Sequence, residues 1–162
     1  MPRRKPKEVN VTSASDDWRG AILSNFPLAI YSVDGERVFS AEGFIQGIKF
    51  RESYPRRAAA FRAHGFPAKN FGRLAKKKWV WWKGRRYAYA SLAHSALVER
   101  GIRARFIADS RAREALLATL GETITHNVGD APRKTSLRKR AFCRLLTRMR
   151  AELKKTGAIN PR

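Results

Sequence analysis

The chain has 162 residues, of which 43% are hydrophobic, and its 35 Lys and Arg against 13 Asp and Glu give a formal net charge of +22. This length and apolar content exclude a disordered polycation and are typical of one packed domain. No run of about 18 apolar residues occurs and no secretion signal begins the chain, so we expect neither a membrane span nor secretion. Cys143 is the single cysteine, which excludes an intrachain disulfide and favours a reducing, cytoplasmic compartment.

The positive charge is concentrated in separate parts of the chain. Residues 51–86 hold 12 Lys and Arg against one acid, and residues 133–162 hold 11 against one. A third, smaller cluster lies in residues 1–8, while the remaining residues are close to neutral. Such blocks attract polyanions by releasing condensed counterions, so we expect nucleic acid as a partner. An anionic membrane is the rival, and it is disfavoured because basic helices of folded domains usually bury their apolar stripe.

The sequence before Ser40 predicts a flexible tail followed by a β-hairpin. Residues 1–16 are rich in Pro, Lys and Ser without periodicity, which predicts a flexible basic arm before a domain at 17–162. The Asp34-Gly35 pair lies between two short apolar segments, 28–32 and 37–39, and predicts a β-hairpin.

Cap and breaker residues predict the helices that follow. Ser40 is a good N-cap for a helix to about Phe50. A second helix is predicted over residues 54–64 with Gly65 as its stop, and Pro67 suits the first turn of a third, which ends near residue 78.

The second half predicts one more hairpin and three helices. Residues 79–82 and 87–89 are expected to pair across a turn at 83–86. Ser91 caps a long helix to about residue 108, Ser110 caps another that ends at Gly121, and a loop spans 127–135. From Ser136, apolar residues recur at helical spacing between cations, which predicts a basic amphipathic closing helix. The predicted class is α+β, mostly helical, in a single domain with short β-hairpins.

One stripe of polar residues is a candidate catalytic site. On a helical wheel, Glu42, Gln46 and Lys49 fall within about 60° of one another. They are either an ordinary solvent-facing stripe, with Glu42 favoured by the helix dipole, or the polar wall of a cleft. In a cleft, the carboxyl group would transfer a proton while the amide and the ammonium group hold an anionic ligand.

Several segments resemble the NADAR family, also called YbiA-like. The clearest is residues 39–50, whose Glu42, Gln46, Lys49 and Phe50 are similar to the family's Glu-x-x-x-Gln-x-x-Lys-Phe signature. The resemblance extends over about residues 22–152 and includes the following shorter segments: 23–27, 33–35, 104–106, 116–119 and 145–150.

This resemblance implies an N-glycosidase that cleaves bonds from a base to ribose. One branch of the family acts on riboflavin-pathway intermediates, and another removes ADP-ribose from modified guanine in nucleic acid. The resemblance makes Glu42 the catalytic carboxylate and places Asn25, Gln46 and Lys49 around a ribose-phosphate pocket. No cofactor and no metal are expected.

Two departures from the family pattern leave alternatives open. The family's Trp position falls at Ala90, where the neighbouring Tyr89 is the expected substitute. The family's Asp-x-x-Trp-Gly segment is absent, and His126 and Asp130 are the candidate polar groups in its place. The high charge favours an enzyme that removes ADP-ribose or a related ribosyl group from nucleic acid. The alternatives are a non-catalytic nucleic-acid-binding protein and a hydrolase of the riboflavin-intermediate type.

The basic residues at 51–86, here called the central basic block, supply the expected nucleic-acid contacts. Its Trp residues are predicted either to stack on bases or to alternate into the core, with Trp79 and Trp81 on one face and Val80 and Trp82 on the other. His94 is expected to be a buried structural histidine. The residues predicted to bind nucleic acid are Arg56, Arg57, Lys76, Lys77, Lys78, Arg85 and Arg86.

Overall fold

The computed structural model describes residues 7–128 and 135–162. Within these residues the chain forms seven α-helices, six short strands and one 3₁₀ helix. In chain order they are β1 (Glu8–Asn10), α1 (Trp18–Leu23), β2 (Tyr31–Val33), β3 (Glu36–Val38), α2 (Ala41–Gly47), α3 (Pro55–Phe61), α4 (Gly65–Phe71), the 3₁₀ helix (Gly72–Leu74), β4 (Trp79–Trp82), β5 (Arg85–Ala88), α5 (Leu92–Ala108), α6 (Ser110–Leu117), β6 (Thr123–Thr125) and α7 (Lys139–Thr156). The predicted class, mostly helical α+β with short hairpins, is confirmed.

The central helix of the core is α2. All its residues are buried, and it packs against α3, α4 and α5. Ser40 caps it as predicted, accepting a hydrogen bond from the Gly43 N–H. Gly43 and Gly47 permit close packing on α3, because an added Cβ would lie 2.6 Å from the Ala60 oxygen and 2.3 Å from the Phe61 ring, respectively. The predicted extension to about Phe50 is too long, since the regular helix ends at Gly47.

Both predicted hairpins form, and both turn on two residues with positive φ. The first uses Asp34 and Gly35, at 50° and 86°, and the second uses Lys83 and Gly84, at 47° and 75°. This conformation matches the right-handed twist of the paired strands. The predicted four-residue turn at 83–86 is therefore too long, because Arg85 and the residue after it already belong to β5.

The predicted flexible arm at 1–16 is wrong for its described part. β1 pairs in parallel with β6, a strand that the sequence did not predict, and Val9 faces Ile124. Val9 and Val11 are fully buried in the core. Their burial, and the backbone bonds of the strand pair, order a segment whose own pattern is too short to predict a strand. The first six residues lie outside the described part.

The remaining helices follow the prediction apart from their boundaries. Ser91 caps α5 as expected, accepting from the His94 N–H. α6 is capped by Asp109, which accepts from two backbone N–H groups, and not by Ser110. α4 begins at Gly65, whose φ of +62° reverses the chain after α3. Most of the predicted loop at 127–135 lies outside the described residues.

The closing helix α7 turns its apolar stripe inward. The buried members are Phe142, Leu145, Leu146, Met149 and Leu153. The helix ends at Thr156, and the next residue, Gly157, caps it in the left-handed conformation with a φ of 73°. Across the described parts of the chain, no helix combines the length and the apolar character that a membrane crossing needs.

Candidate active site

A cleft of about 740 Å³ lies along one side of α2. Its walls come from the loop after α1, from α2, from the 3₁₀ segment, and from residues beside α5, β6 and α7. Six of the residues predicted for the site line it: Asn25, Glu42, Gln46, Lys49, Tyr89 and His126. Asp130, the seventh, lies outside the described residues.

The three residues of the predicted stripe form one hydrogen-bonded row in this wall. The Gln46 amide donates to Glu42 Oε1 over 2.8 Å, and Lys49 Nζ donates to Gln46 Oε1 over 2.5 Å. The exposed fractions of Glu42, Gln46 and Lys49 are only 9%, 8% and 7%, respectively. These values exclude an ordinary solvent-facing stripe. The amide thus fixes the carboxyl and ammonium groups at either end of the row.

Burial shifts the ionisation of both ends of the row. It raises the pKa of the Glu42 carboxyl, while the Gln46 hydrogen bond and the charges of Lys49 and Lys69 oppose that rise. Burial also lowers the pKa of Lys49 to about 8, although the Glu42 carboxylate acts in the opposite direction. The site therefore holds a carboxyl that retains its proton more readily than usual and an ammonium group that loses its proton more readily.

The row is packed against the backbone of the 3₁₀ helix. A Cβ added at Gly72 would lie 2.1 Å from Gln46 Oε1. Gly72 has φ −61° and ψ −25°, which any residue adopts, so close approach and not conformation explains the glycine at this position. This contact was not predicted from the sequence.

Asn25 is held in the cleft by a buried arginine. Arg105, fully buried on α5, donates to the Ser24 carbonyl and, over 2.6 Å, to the Ile22 carbonyl. The Asn25 carbonyl in turn accepts from the Glu42 N–H at 2.9 Å. Its side-chain oxygen is buried and has no hydrogen-bond partner in the described structure. The sequence signal for Arg105 was its place in segment 104–106.

Tyr89 forms the wall beside the Lys49 end of the row. Lys49 Nζ lies 5.7 Å from the centre of the Tyr89 ring, within cation–π range, and the phenol oxygen is 3.4 Å from Ser136 Oγ. Behind it, His94 is fully buried and accepts the Ala90 N–H at Nδ1. Burial and the Lys49 charge lower the pKa of His94 to about 4, so it is neutral and structural, as expected.

His126 faces the cleft from the end of β6. Its Nδ1 lies 2.5 Å from the Val11 carbonyl oxygen, and its ring packs edge-on against Phe142 at 5.2 Å. A carbonyl only accepts, so Nδ1 carries the proton and Nε2 remains an acceptor. Because Val11 follows β1, the N-terminal strand positions this histidine.

Six of the seven residues predicted to bind nucleic acid are exposed, and one is buried. The following remain exposed: Arg56, Lys76, Lys77, Lys78, Arg85 and Arg86. Of these, Lys77 lines the cleft, together with Lys69 and Arg73, which the prediction missed although both belong to the central basic block.

Arg57 is the exception, and its prediction as a nucleic-acid contact is wrong. It is 6% exposed and donates to the Phe50 and Trp81 carbonyls over 2.9 and 3.1 Å. Its guanidinium carbon also lies 4.9 Å from the centre of the Phe61 ring. Arg57 therefore joins α3 to the end of α2 and to β4.

The Trp residues alternate as predicted. Val80 and Trp82 are buried, and the Trp82 indole N–H donates to Asp34 over 2.8 Å. Trp79 is half-buried, with the Arg86 guanidinium carbon only 4.0 Å from the centre of its ring. That cation already occupies one face of this half-buried indole.

The residues that could bind a metal are not clustered. In the described part of the chain, no three His, Cys, Asp or Glu side chains come together in an arrangement that would hold a metal ion. Glu42 is the single acidic side chain among the described residues that line the cleft.

Comparisons with known proteins identify the family. The family model described as bacteriophage protein GP30.3 matches residues 17–151. The NMR structure of the E. coli protein YbiA is similar with a TM-score of 0.66 and 21% sequence identity, covering 95% of this chain and 89% of that chain. No curated protein matches this sequence. The predicted YbiA-like (NADAR) relationship is confirmed in the fold. The chain thus belongs to the bacteriophage GP30.3 protein family.

Proposed function

We propose that this protein is an N-glycosidase that releases ADP-ribose, or a related ribosyl group, from modified guanine in nucleic acid. The observation that carries the proposal is the buried row of Glu42, Gln46 and Lys49 in the wall of a cleft large enough for a nucleotide-sized ligand. Its resemblance to the NADAR signature supports the assignment of ribose chemistry.

The proposed reaction breaks the bond from ribose C1 to the base nitrogen and joins C1 to a water oxygen. The departing base needs a proton, and the raised pKa of the buried Glu42 carboxyl suits that group to supply it. Once deprotonated, the carboxylate stabilises the positive charge at C1 and accepts a proton from the attacking water. One carboxyl group acting in sequence as acid and base completes the proton balance.

The other residues of the row bind and orient the ligand. Lys49 supplies a positive charge for a phosphate, and Gln46 keeps the Glu42 carboxyl in place through its amide. Asn25 lines the same cleft, and its side-chain N–H groups donate to a ribose hydroxyl oxygen. Such fixed donors and acceptors hold the reacting bond beside the carboxyl group.

The charge around the cleft supports nucleic acid as the carrier of the modified base. Lys69, Arg73 and Lys77 line the cleft, and further exposed cations follow on residues 76–86. A hydrolase of small riboflavin-pathway intermediates gains little from a net charge of +22, whereas phosphate contacts along a strand use it.

The test is release of ADP-ribose from ADP-ribosylated guanine in an oligonucleotide by the parent and by Glu42→Gln. Gln keeps the shape and the acceptor oxygen but has neither a titratable proton nor a charge. We expect normal folding, ligand affinity close to the parent's, and turnover lower by about 10² or more. Glu114→Gln, the same change on an exposed residue of α6, is the matched control and should retain full turnover.

Two outcomes contradict the proposal. Equal release by the parent and Glu42→Gln would remove Glu42 as the catalyst and leave it an electrostatic role at the start of α2. Absence of release from every ribosylated substrate, with tight binding of unmodified nucleic acid, would favour a non-catalytic binding protein. The missing Asp-x-x-Trp-Gly segment favours that second candidate.

A further inference from the structure

An exposed aromatic ring packs against a residue that lines the cleft. Phe66, on α4, is 65% exposed, the largest exposed fraction of any aromatic residue in the described part of the chain. Its ring packs edge-on against Phe26, with 5.1 Å between ring centres. Phe26 itself lines the cleft, so Phe66 lies one ring away from the cleft wall.

The position of this ring is fixed by the backbone. The Gly65 N–H donates to the Phe26 carbonyl over 3.0 Å, which joins α4 to the loop after α1. The same loop carries Asn25, whose carbonyl accepts from the Glu42 N–H. Two backbone hydrogen bonds therefore connect the segment that carries Phe66 to the start of the row at Glu42.

Cations line the cleft next to Phe26, the ring against which Phe66 packs. Lys69 Nζ lies 5.9 Å from the centre of the Phe26 ring, and Lys69 and Arg73 both line the cleft. An exposed aromatic ring next to cations is the combination that binds single-stranded nucleic acid, with bases on the ring and phosphates on the charges. An apolar protein partner would make no use of these cations.

The Trp residues of β4 fit this role less well. Trp82 is buried, and Arg86 covers one face of Trp79. Phe66 has no cation over its ring among the described contacts, and its exposure leaves ring surface open to a ligand.

We propose that Phe66 is the platform on which a base next to the modified nucleotide stacks, and that the preferred substrate is accordingly a single strand. This inference rests on the proposed function, because it identifies the strand that enters the same cleft. A base in an intact duplex is already stacked on its neighbours, so it is not free to stack on Phe66.

The experiment compares two substrates, ADP-ribosylated guanine within a single-stranded oligonucleotide and the ADP-ribosylated mononucleotide. Phe66→Ala should lower kcat/KM on the oligonucleotide by at least about fivefold, the lower end of what a base–aromatic stack contributes. It should leave the mononucleotide unaffected, because no neighbouring base is present. Phe66→Trp should retain the parent value on both.

Trp18→Ala is the matched control, since Trp18 is a similarly exposed aromatic residue with no described ring contact to a residue that lines the cleft. It should change neither value. The inference is overturned if Phe66→Ala and Trp18→Ala lose activity equally, if Phe66→Ala affects both substrates alike, or if a paired duplex is cleaved as well as the single strand.

A binding measurement separates this inference from the proposed function. If the parent releases nothing from either substrate, the glycosidase proposal fails. The platform is then tested by the affinity for an unmodified single-stranded oligonucleotide. A loss of at least about fivefold in Phe66→Ala, absent in Trp18→Ala, supports it, and equal affinities refute it.

Discussion

Gly72→Ala tests whether the close contact beneath the cleft positions the Gln46 amide. The new methyl group would lie 2.1 Å from Gln46 Oε1, well inside contact distance. Alanine adopts the φ and ψ of Gly72 without backbone strain. Considered alone, this replacement of glycine by alanine should add up to about 1 kcal/mol to the free energy of unfolding. The amide must move instead, and its bonds to Glu42 and Lys49 are lost or weakened.

The expected cost follows from those two hydrogen bonds. A hydrogen bond to a charged group contributes about 1.5–3 kcal/mol, so the loss of even one of the two outweighs the gain of up to about 1 kcal/mol from alanine and leaves a net loss of at least about 0.5 kcal/mol. In a Gln46→Ala background the methyl group meets no amide, and the same substitution should be neutral or slightly stabilising. The coupling energy between positions 46 and 72 is therefore expected to be at least about 1 kcal/mol.

Urea unfolding of the parent, the two single variants and the double variant measures this coupling. ADP-ribose release by Gly72→Ala should fall alongside its stability, because the Glu42 carboxyl loses its fixed position. If Gly72→Ala has the same cost with and without Gln46, the explanation through the amide contact is refuted.

Two further predictions concern the charge on Lys49 and the N-terminal strand. The pKa of Lys49, about 8, means that its ammonium group is charged below pH 8 and loses that charge above it. Affinity for ADP-ribose, measured by calorimetry, should therefore fall by up to tenfold per pH unit above pH 8. Lys49→Arg, always charged, should bind without that fall, and a flat parent profile would contradict the assignment. Removal of residues 1–11 should lower the free energy of unfolding by at least about 3 kcal/mol, since it takes Val9 and Val11 from the core. Unchanged urea unfolding after that deletion would show that β1 is dispensable.

Two of the corrections, at the N-terminal strand and at Arg57, share one physical cause, which is that contacts distant in the sequence decide the structure of a short segment. Val9 lies in a polar stretch next to the basic N-terminal residues, and only the backbone of β6, more than 110 residues away, makes its segment a strand. Arg57 belongs to a basic block whose other predicted contacts are exposed, yet two carbonyls and a ring draw it into the interior. Charge patterns along the sequence do not distinguish a surface cation from one that satisfies buried carbonyls.

The sequence by itself determined the features that depend on neighbouring residues. The Ser40 cap, the Asp34-Gly35 turn and the helical spacing of Glu42, Gln46 and Lys49 follow from local geometry, so they could be predicted. Only the tertiary structure decided that this polar row is buried, that Gly72 packs beneath Gln46, and that Arg105 holds the Asn25 loop. Burial raises the pKa of Glu42 and lowers that of Lys49, and burial depends on elements far apart in the chain.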